Sequence, residues 1–292
     1  MDHFANCTLC PRKCGVNRYE QTGFCRMGAQ VKAARAALHM WEEPCISGTR
    51  GSGTVFFSGC TLKCAYCQNA PISHDGEGVV ISLDKLCDAF RSLIDQGAHN
   101  LNIVTGTPFA PLIVKALEKV KPNVPVVWNT GGYERVETLK MLDGLVQIYL
   151  PDLKHVSPRL SKLCLRAEDY FDMASRALPE MYRQVGDNVY DREGILQKGM
   201  IVRHLILPGC TRDAMQVLAF LKNNLPHVPV SIMRQYTPQP RCTVKGLDRR
   251  ITDDEYNRVM EYAAEIGILG FSQEAESADS AYTPPFDGTG IR

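Results

Sequence analysis

Thr54-Val-Phe-Phe-Ser-Gly-Cys60-Thr-Leu-Lys-Cys64-Ala-Tyr66-Cys67-Gln-Asn69 reads as an apolar strand running straight into a loop with three cysteines, spaced Cys-x3-Cys-x2-Cys. An iron–sulfur cluster ordinarily takes four thiolates. Three thiolates from one loop hold three irons and leave the fourth with a vacant position. A substrate or cofactor can bind there, which a closed structural metal site does not allow. Zinc sites usually pair Cys-x2-Cys knuckles with a fourth ligand close by, and none follows Cys67.

Working outward from that loop, apolar runs of strand length alternate with amphipathic stretches. Strands are expected at 54–58, 101–105, 124–128, 145–150, 200–207, 228–233 and 270–272. Helices are expected at 83–96, 109–120, 133–141, 158–184, 213–223 and 253–266. Alternation of this kind gives a parallel sheet with helices outside. Near six repeats fall short of a closed eight-fold barrel. The expected class is α/β, a partial (β/α)6 TIM-like barrel, preceded by a small cysteine-rich metal-binding lobe. Its working residues belong on loops at the C-terminal ends of the strands.

Residues 1–50 stand apart from the alternation. They carry Cys7-x2-Cys10-x3-Cys14-x10-Cys25 with turns at Pro11, Gly15 and Gly23, then a short apolar or helical stretch, 31–41, and a polar turn through Glu42-Glu43-Pro44. The Gly-rich run 47–53 marks the transition, so two units are expected: an N-terminal lobe, 1–50, and the barrel with its C-terminal tail, 51–292. Four thiolates complete a closed shell. Zinc would make it a structural knuckle and a second [4Fe–4S] cluster would make it an electron relay; the spacing leaves both open.

Lys and Arg total 33 against 32 Asp and Glu, a net charge of +1, so no strong field points to nucleic acid or a membrane. There is no apolar stretch of membrane-spanning length and no signal-like start. Twelve cysteines at metal-ligand spacings in a long α/β chain suggest a reducing, cytoplasmic compartment rather than secreted disulfides.

Several strand ends carry candidates. Thr105-Gly106-Thr107-Pro108 and Asn129-Thr130-Gly131-Gly132 each follow a strand, the latter with small residues that let backbone approach a ligand. Asp152 and Lys154 share one face if their strand continues. Arg203 and His204 interrupt an apolar run and point to opposite faces, one into the barrel and one toward the helical layer; a buried Arg must be paired or bind an anion, and a His in such a place is commonly a hydrogen-bonded core residue. Gln235-Tyr236 follows another strand and would face the opening. Cys45, Cys87, Cys164, Cys210 and Cys242 read as small buried apolar groups, with Cys210 at a strand end the one to mutate. The tail 277–292 is polar and either a lid or loose.

At the Cys60 loop the chain resembles the radical S-adenosylmethionine (radical SAM) superfamily, and within it the pyruvate formate-lyase activating enzyme branch. The resemblance covers most of the chain from about Gly53 onward. It implies a [4Fe–4S] cluster on Cys60, Cys64 and Cys67, with S-adenosyl-L-methionine chelated to the free iron by its amino and carboxylate groups. One electron then cleaves the cofactor to methionine and a 5'-deoxyadenosyl radical that takes hydrogen from a substrate. It also implies cofactor contacts at Tyr66, Thr105, Gly106, Thr107, Asn129, Thr130, Asp152, Lys154 and Arg203. Lys154 would lie near the methionyl carboxylate. The family usually has Gly-Gly-Glu-Pro where Thr105-Gly-Thr-Pro108 stands, so Thr107 replaces a carboxylate. Asn129 replaces an Asp at a monovalent-cation position. Partners implied are a reductant such as flavodoxin or ferredoxin and a glycyl-radical protein or small-molecule substrate. Two other readings stay open: radical modification of a metabolite or RNA, and a non-catalytic iron–sulfur electron-transfer protein.

Overall fold

The computed structural model describes residues 2–272 and 283–292. Its strands are β1 (Val31–His39), β2 (Ser52–Phe57), β3 (Val79–Ile81), β4 (Leu101–Val104), β5 (Val126–Thr130), β6 (Ile148–Pro151), β7 (Val189–Tyr190), β8 (Leu196–Met200), β9 (Val202–Leu205), β10 (Val230–Met233) and β11 (Gly270–Ser272). One sheet runs β3-β1-β2-β4-β5-β6-β8-β7 and a second β11-β10-β9. A parallel bridge between Asp152 and Arg203, with the Leu153 amide donating to the Arg203 carbonyl at 2.9 Å, joins them. The parallel arc β2-β4-β5-β6-β9-β10-β11 is thus a mixed α/β, partial TIM-like barrel.

The helices are α1 (Pro44–Ser47), α2 (Ala70–Ser73), α3 (Leu83–Asp95), α4 (Ala110–Val120), α5 (Val136–Leu139), α6 (Pro158–Leu165), α7 (Tyr170–Val185), α8 (Thr211–Asn224) and α9 (Asp253–Glu265). In α3 the Leu86, Phe90 and Leu93 stripe is buried, and the Ser82 hydroxyl caps it by accepting from the Lys85 amide. Burying one such side chain contributes about 2–3 kcal/mol. Thr252 and Glu255 form a reciprocal capping box that starts α9. Between the strands, Val127, Ile148, Leu150 and Ile201 cluster with Ile46 of α1. They share strand parity with Asn129, Asp152 and Arg203, and so line the barrel interior. Among the described residues no helix is long and apolar enough to cross a membrane.

Four local expectations are corrected. The stretch 31–41 is neither a helix nor part of a separate lobe: Val31–His39 is a strand antiparallel to β2. Its alanines have weak strand preference, and pairing with the barrel's first strand overrides it. The expected boundary at residue 50 therefore falls inside the sheet, and the cysteine-bearing segment ends near residue 30. The helix expected at 133–141 shrinks to α5 and a 3-10 turn, Lys140–Leu142. The long helix at 158–184 is two helices, because α6 ends on Arg166 in the left-handed conformation (φ 55°). A β7–β8 hairpin, absent from the sequence reading, precedes β9.

Candidate active site at the strand ends

The Cys60 loop leaves β2 through Ser58 and Gly59 and ends at α2. Cys64 is buried and Cys60 and Cys67 are half-buried. Its shape is set by short-range bonds: the Cys67 amide donates to the Cys64 carbonyl at 3.0 Å, and the Leu62 amide to the Cys60 sulfur at 3.4 Å. The Cys67 Sγ lies 3.2 Å from the Ser73 Oγ of α2. Burial raises all three thiols and pushes Cys64 up to about 12, against the pull of the Lys154 ammonium. The metal-free chain therefore holds neutral thiols here, and binding a metal must displace their protons. Three soft donors from one loop, each within electrostatic reach of another, suit a cluster and offer no fourth side chain from the loop itself. Among the described residues no group of three or more Cys, His, Asp and Glu side chains gathers around a single-ion position.

Lys154 is the cation that faces these sulfurs, acting on Cys60, Cys64 and Cys67 alike. Its Nζ donates to Asp152 Oδ2 at 2.6 Å. The other oxygen of Asp152 accepts from Arg203 Nε at 2.9 Å. Burial would raise the Asp152 carboxyl, but Arg203 and Lys154 outweigh it and hold it below its usual range. Arg203 also donates to Asn129 Oδ1 at 2.7 Å and to Glu42 Oε2 at 3.1 Å. Asn129 Nδ2 in turn donates to Glu42 Oε1 at 3.0 Å. The interior thus holds two cations and two carboxylates in one bonded set. Glu42, read from sequence as part of a polar turn, is a member of that set. Arg203 is satisfied within it, and Lys154 is the cation left facing the sulfurs.

Tyr170, which the sequence reading passed over, ties the two loops together. Fully buried at the start of α7, its hydroxyl accepts from the Lys154 amide at 2.9 Å and sits 2.9 Å from both the Gly131 and Asp152 carbonyls. Gly132 completes the contact: at φ 79° a Cβ there would lie 2.3 Å from the Asp152 oxygen and 3.0 Å from the Tyr170 hydroxyl.

At the neighbouring strand end, Thr105 adopts φ 60°, rare for a branched residue, with its amide donating to the Asn129 carbonyl at 2.9 Å. Thr107 is buried and its hydroxyl donates to Glu134 Oε1, which also accepts from Thr130 Oγ1 at 2.6 Å. The second Glu134 oxygen is buried with no hydrogen-bond partner, and burial pushes the carboxyl up to about 6. The next loop thus brings a carboxylate to the place where the sequence has Thr107 in lieu of one. The signal was there: an acidic residue two positions after the small-residue turn Asn129–Gly132.

Tyr66 is buried edge-on to His155 and to Tyr236, each with ring centroids 6.3 Å apart. Tyr236 is itself buried, its hydroxyl donating to the Leu247 carbonyl. His155 Nδ1 pairs with Asp213 Oδ2 at 2.8 Å. His204 bonds the Leu153 carbonyl through Nδ1 at 2.8 Å, and burial pushes its imidazole down to about 4. Cys164 is within electrostatic reach of Cys210, Cys242 and Cys64, a gathering the spacing did not foretell. The four N-terminal cysteines also come together, with Cys7, Cys14 and Cys25 all acting on Cys10. Of the tail, 277–282 lies outside the described residues. The remainder is docked on β1 and β2: Phe286 packs edge-on against Phe56 of β2 at 5.6 Å, and the Ala36 amide of β1 donates to the Thr289 carbonyl at 2.8 Å.

The sequence model described as the Radical SAM superfamily matches residues 54–190, which spans the cysteine loop through β7. Over 279 residues the chain is 29% identical to the uncharacterized protein MJ0674 of Methanocaldococcus jannaschii, covering 91% of this chain and 76% of that one. Among solved structures it is similar to SuiB of Streptococcus suis bound to the precursor peptide SuiA, at a TM-score of 0.53 and 14% identity over 75% of this chain and 47% of SuiB. SuiB bound to S-adenosylmethionine gives a TM-score of 0.51 and 14% identity over 75% and 49%. The chain thus spans about half the length of SuiB. The match to the Radical SAM superfamily model takes in the Cys60 loop and the strand ends after β4, β5 and β6.

Proposed function

We propose that the chain is a radical SAM enzyme, and that its hydrogen donor is a glycine in a partner polypeptide. The observation that carries the reading is the convergence of three thiols, one buried and two half-buried, and the Lys154 ammonium at the C-terminal mouth of a partial barrel. When bound, a [4Fe–4S] cluster with S-adenosyl-L-methionine supplies the electron and the carbon-centred radical. The chain's own residues do the rest. Cys60, Cys64 and Cys67 hold three irons. Lys154 would meet the carboxylate of the bound cofactor, and Asp152 fixes the lysine by a 2.6 Å bond. Thr105, Gly106, Thr107, Asn129 and Thr130 line the amino end, where Glu134 supplies the negative charge that Thr107 lacks. Tyr66, held edge-on by His155 and Tyr236, would contact the bound cofactor. Arg203 acts by holding Asp152 and Asn129, since its donors are taken up by them and by Glu42. In this reading the chain divides near residue 30 into a cysteine lobe and a catalytic barrel, and electrons come from a flavodoxin or ferredoxin.

The polypeptide substrate rests on likeness: the branch resemblance in the Asn129–Gly132 and Asp152–Lys154 segments, and SuiB's complex with a precursor peptide. Anaerobic protein loaded with iron and sulfide, given dithionite and S-adenosyl-L-methionine, should release 5'-deoxyadenosine, and Cys60→Ala should release none. Absence of product from loaded wild type refutes the reading. Deuterium passing into 5'-deoxyadenosine from an α-deuterated glycyl polypeptide identifies the substrate class; transfer from metabolites or RNA alone rejects it.

A further inference from the structure

The four N-terminal cysteines do not form a detached knob. Gly59, the residue before Cys60, is pressed against them: a Cβ there would lie 2.7 Å from the Cys25 carbonyl oxygen and 2.4 Å from the Met27 side chain. Consecutive Cα atoms are 3.8 Å apart, so Cys25 and Cys60 are separated by little more than one backbone contact. Arg12, between Cys10 and Cys14, reaches across to the same loop. Its Nε donates to the Thr61 carbonyl at 3.0 Å and its two terminal nitrogens to Arg166 and Leu165 carbonyls at 2.5 and 3.3 Å. The Lys63 ammonium lies within electrostatic reach of both Cys25 and Cys60.

The lobe is graded from outside to inside. Cys14 is exposed, Cys10 and Cys25 are half-buried and Cys7 is buried. Backbone amides shape the set as they would a metal loop: the Phe24 amide points at the Cys14 sulfur from 3.3 Å, and the Lys13 amide closes a turn on the Cys10 carbonyl at 3.0 Å. Hydrogen bonds to sulfur are one of the levers that tune iron–sulfur potentials. An electron carrier at this place has an exposed outer edge at Cys14 and an inner edge against the residue that precedes Cys60.

We infer that Cys7, Cys10, Cys14 and Cys25 hold a second [4Fe–4S] cluster that relays single electrons to the cluster on the Cys60 loop. The inference rests on the radical SAM reading of that loop. An external one-electron carrier, a reduced ferredoxin or flavodoxin, is oxidised by one electron. The N-terminal cluster is reduced by one electron and reoxidised as that electron moves inward. No bond or proton changes at this site.

The test uses full-length protein, loaded anaerobically. Wild type should bind about eight irons, and the Cys60→Ala/Cys64→Ala/Cys67→Ala variant about four, with a reducible four-iron signal in electron paramagnetic resonance. Cys7→Ser/Cys10→Ser should also keep about four irons. Dithionite should still bleach the visible absorbance of its remaining cluster at the wild-type rate, whereas reduced flavodoxin should bleach it at least tenfold more slowly. Zinc in place of iron in the triple variant, or equal bleaching rates with flavodoxin, overturns the relay while leaving the radical reading intact. A wild type whose four irons all survive the triple substitution refutes the radical reading instead. The triple variant leaves the lobe's sequence untouched, so the iron count stands even if Cys7→Ser/Cys10→Ser misfolds.

Discussion

Tyr170→Phe removes one oxygen from the interior and little else, which makes its effect calculable. That oxygen is the acceptor for the Lys154 amide and the shared neighbour of the Gly131 and Asp152 carbonyls, each at 2.9 Å. The side chain is fully buried, so water cannot easily replace it. Leaving a buried N–H without a partner costs about 1–3 kcal/mol, and losing the hydroxyl's own donated bond about 0.5–1.5 kcal/mol more. The sum is about 1.5–4.5 kcal/mol, or a fall in Tm of roughly 3–18 °C at about 2–4 °C per kcal/mol. Because the lost bond fixes the backbone of Lys154, cofactor affinity should fall with it, about tenfold if 1.4 kcal/mol of the loss appears in binding.

Tyr133→Phe is the matched control. Its ring stacks on Tyr170 at 6.2 Å, but its hydroxyl reaches only the half-buried Asp169, at 2.7 Å. It should lose about 1 kcal/mol and keep its cofactor affinity. Urea unfolding of the metal-free protein and equilibrium dialysis of S-adenosyl-L-methionine on the loaded protein read the two effects separately. If Tyr170→Phe stays within 0.5 kcal/mol of wild type, or if Tyr133→Phe matches it in both assays, the clamp is not what holds the Lys154 loop.

Lys154→Met keeps the aliphatic stem and removes the charge facing the sulfurs; cofactor dissociation constants measured by dialysis should rise at least tenfold, with iron content unchanged. Gly132→Ala should lose about 2–4 kcal/mol in urea unfolding, since its Cβ would overlap the Asp152 carbonyl at a positive φ that alanine resists. The Glu134 carboxyl is raised to about 6 by burial, above its unfolded value of 4.5, so its contribution is fully present below pH 4.5 and lost as pH rises through 6. Glu134→Gln should therefore gain on wild type by about 2 kcal/mol between pH 4.5 and 7, read from urea midpoints. The His204 imidazole has the opposite sign: its folded value of about 4 lies below the unfolded 6.5, so wild-type stability falls as pH drops from 6.5 to 4. His204→Gln should flatten that fall.

The barrel was legible because its strands carry their own evidence. The runs read as strands at 124–128 and 145–150 are there, buried in the parallel arc, but run one or two residues further, as Val126–Thr130 and Ile148–Pro151. β1 was not legible, because Val31–His39 is alanine-rich and owes its extended form to pairing with β2 rather than to local preference. The break between α6 and α7 was hidden for a similar reason. Arg166 gives no glycine or proline signal, and only the contact of its carbonyl with Arg12, more than a hundred residues earlier, marks the turn.

The candidate site divides along the same line. Cysteine spacing and strand-end position both act within a few residues, so the Cys60 loop, Lys154 and Asp152 could be picked out directly. Glu42 and Tyr170 act across the barrel, and nothing near them in sequence states their partners; Glu134 has one partner four residues away, Thr130, and one on another strand end, Thr107. Arg203 shows why residue type alone misleads: a charged group in an apolar run must be paired or bind an anion, and sequence cannot say which. Here three protein acceptors take its donors, so the positive charge left facing the sulfurs is the lysine's. Within the interior ion set the arginine is tied up by protein acceptors, and the lysine, held by Asp152, is the cation that reaches Cys60, Cys64 and Cys67.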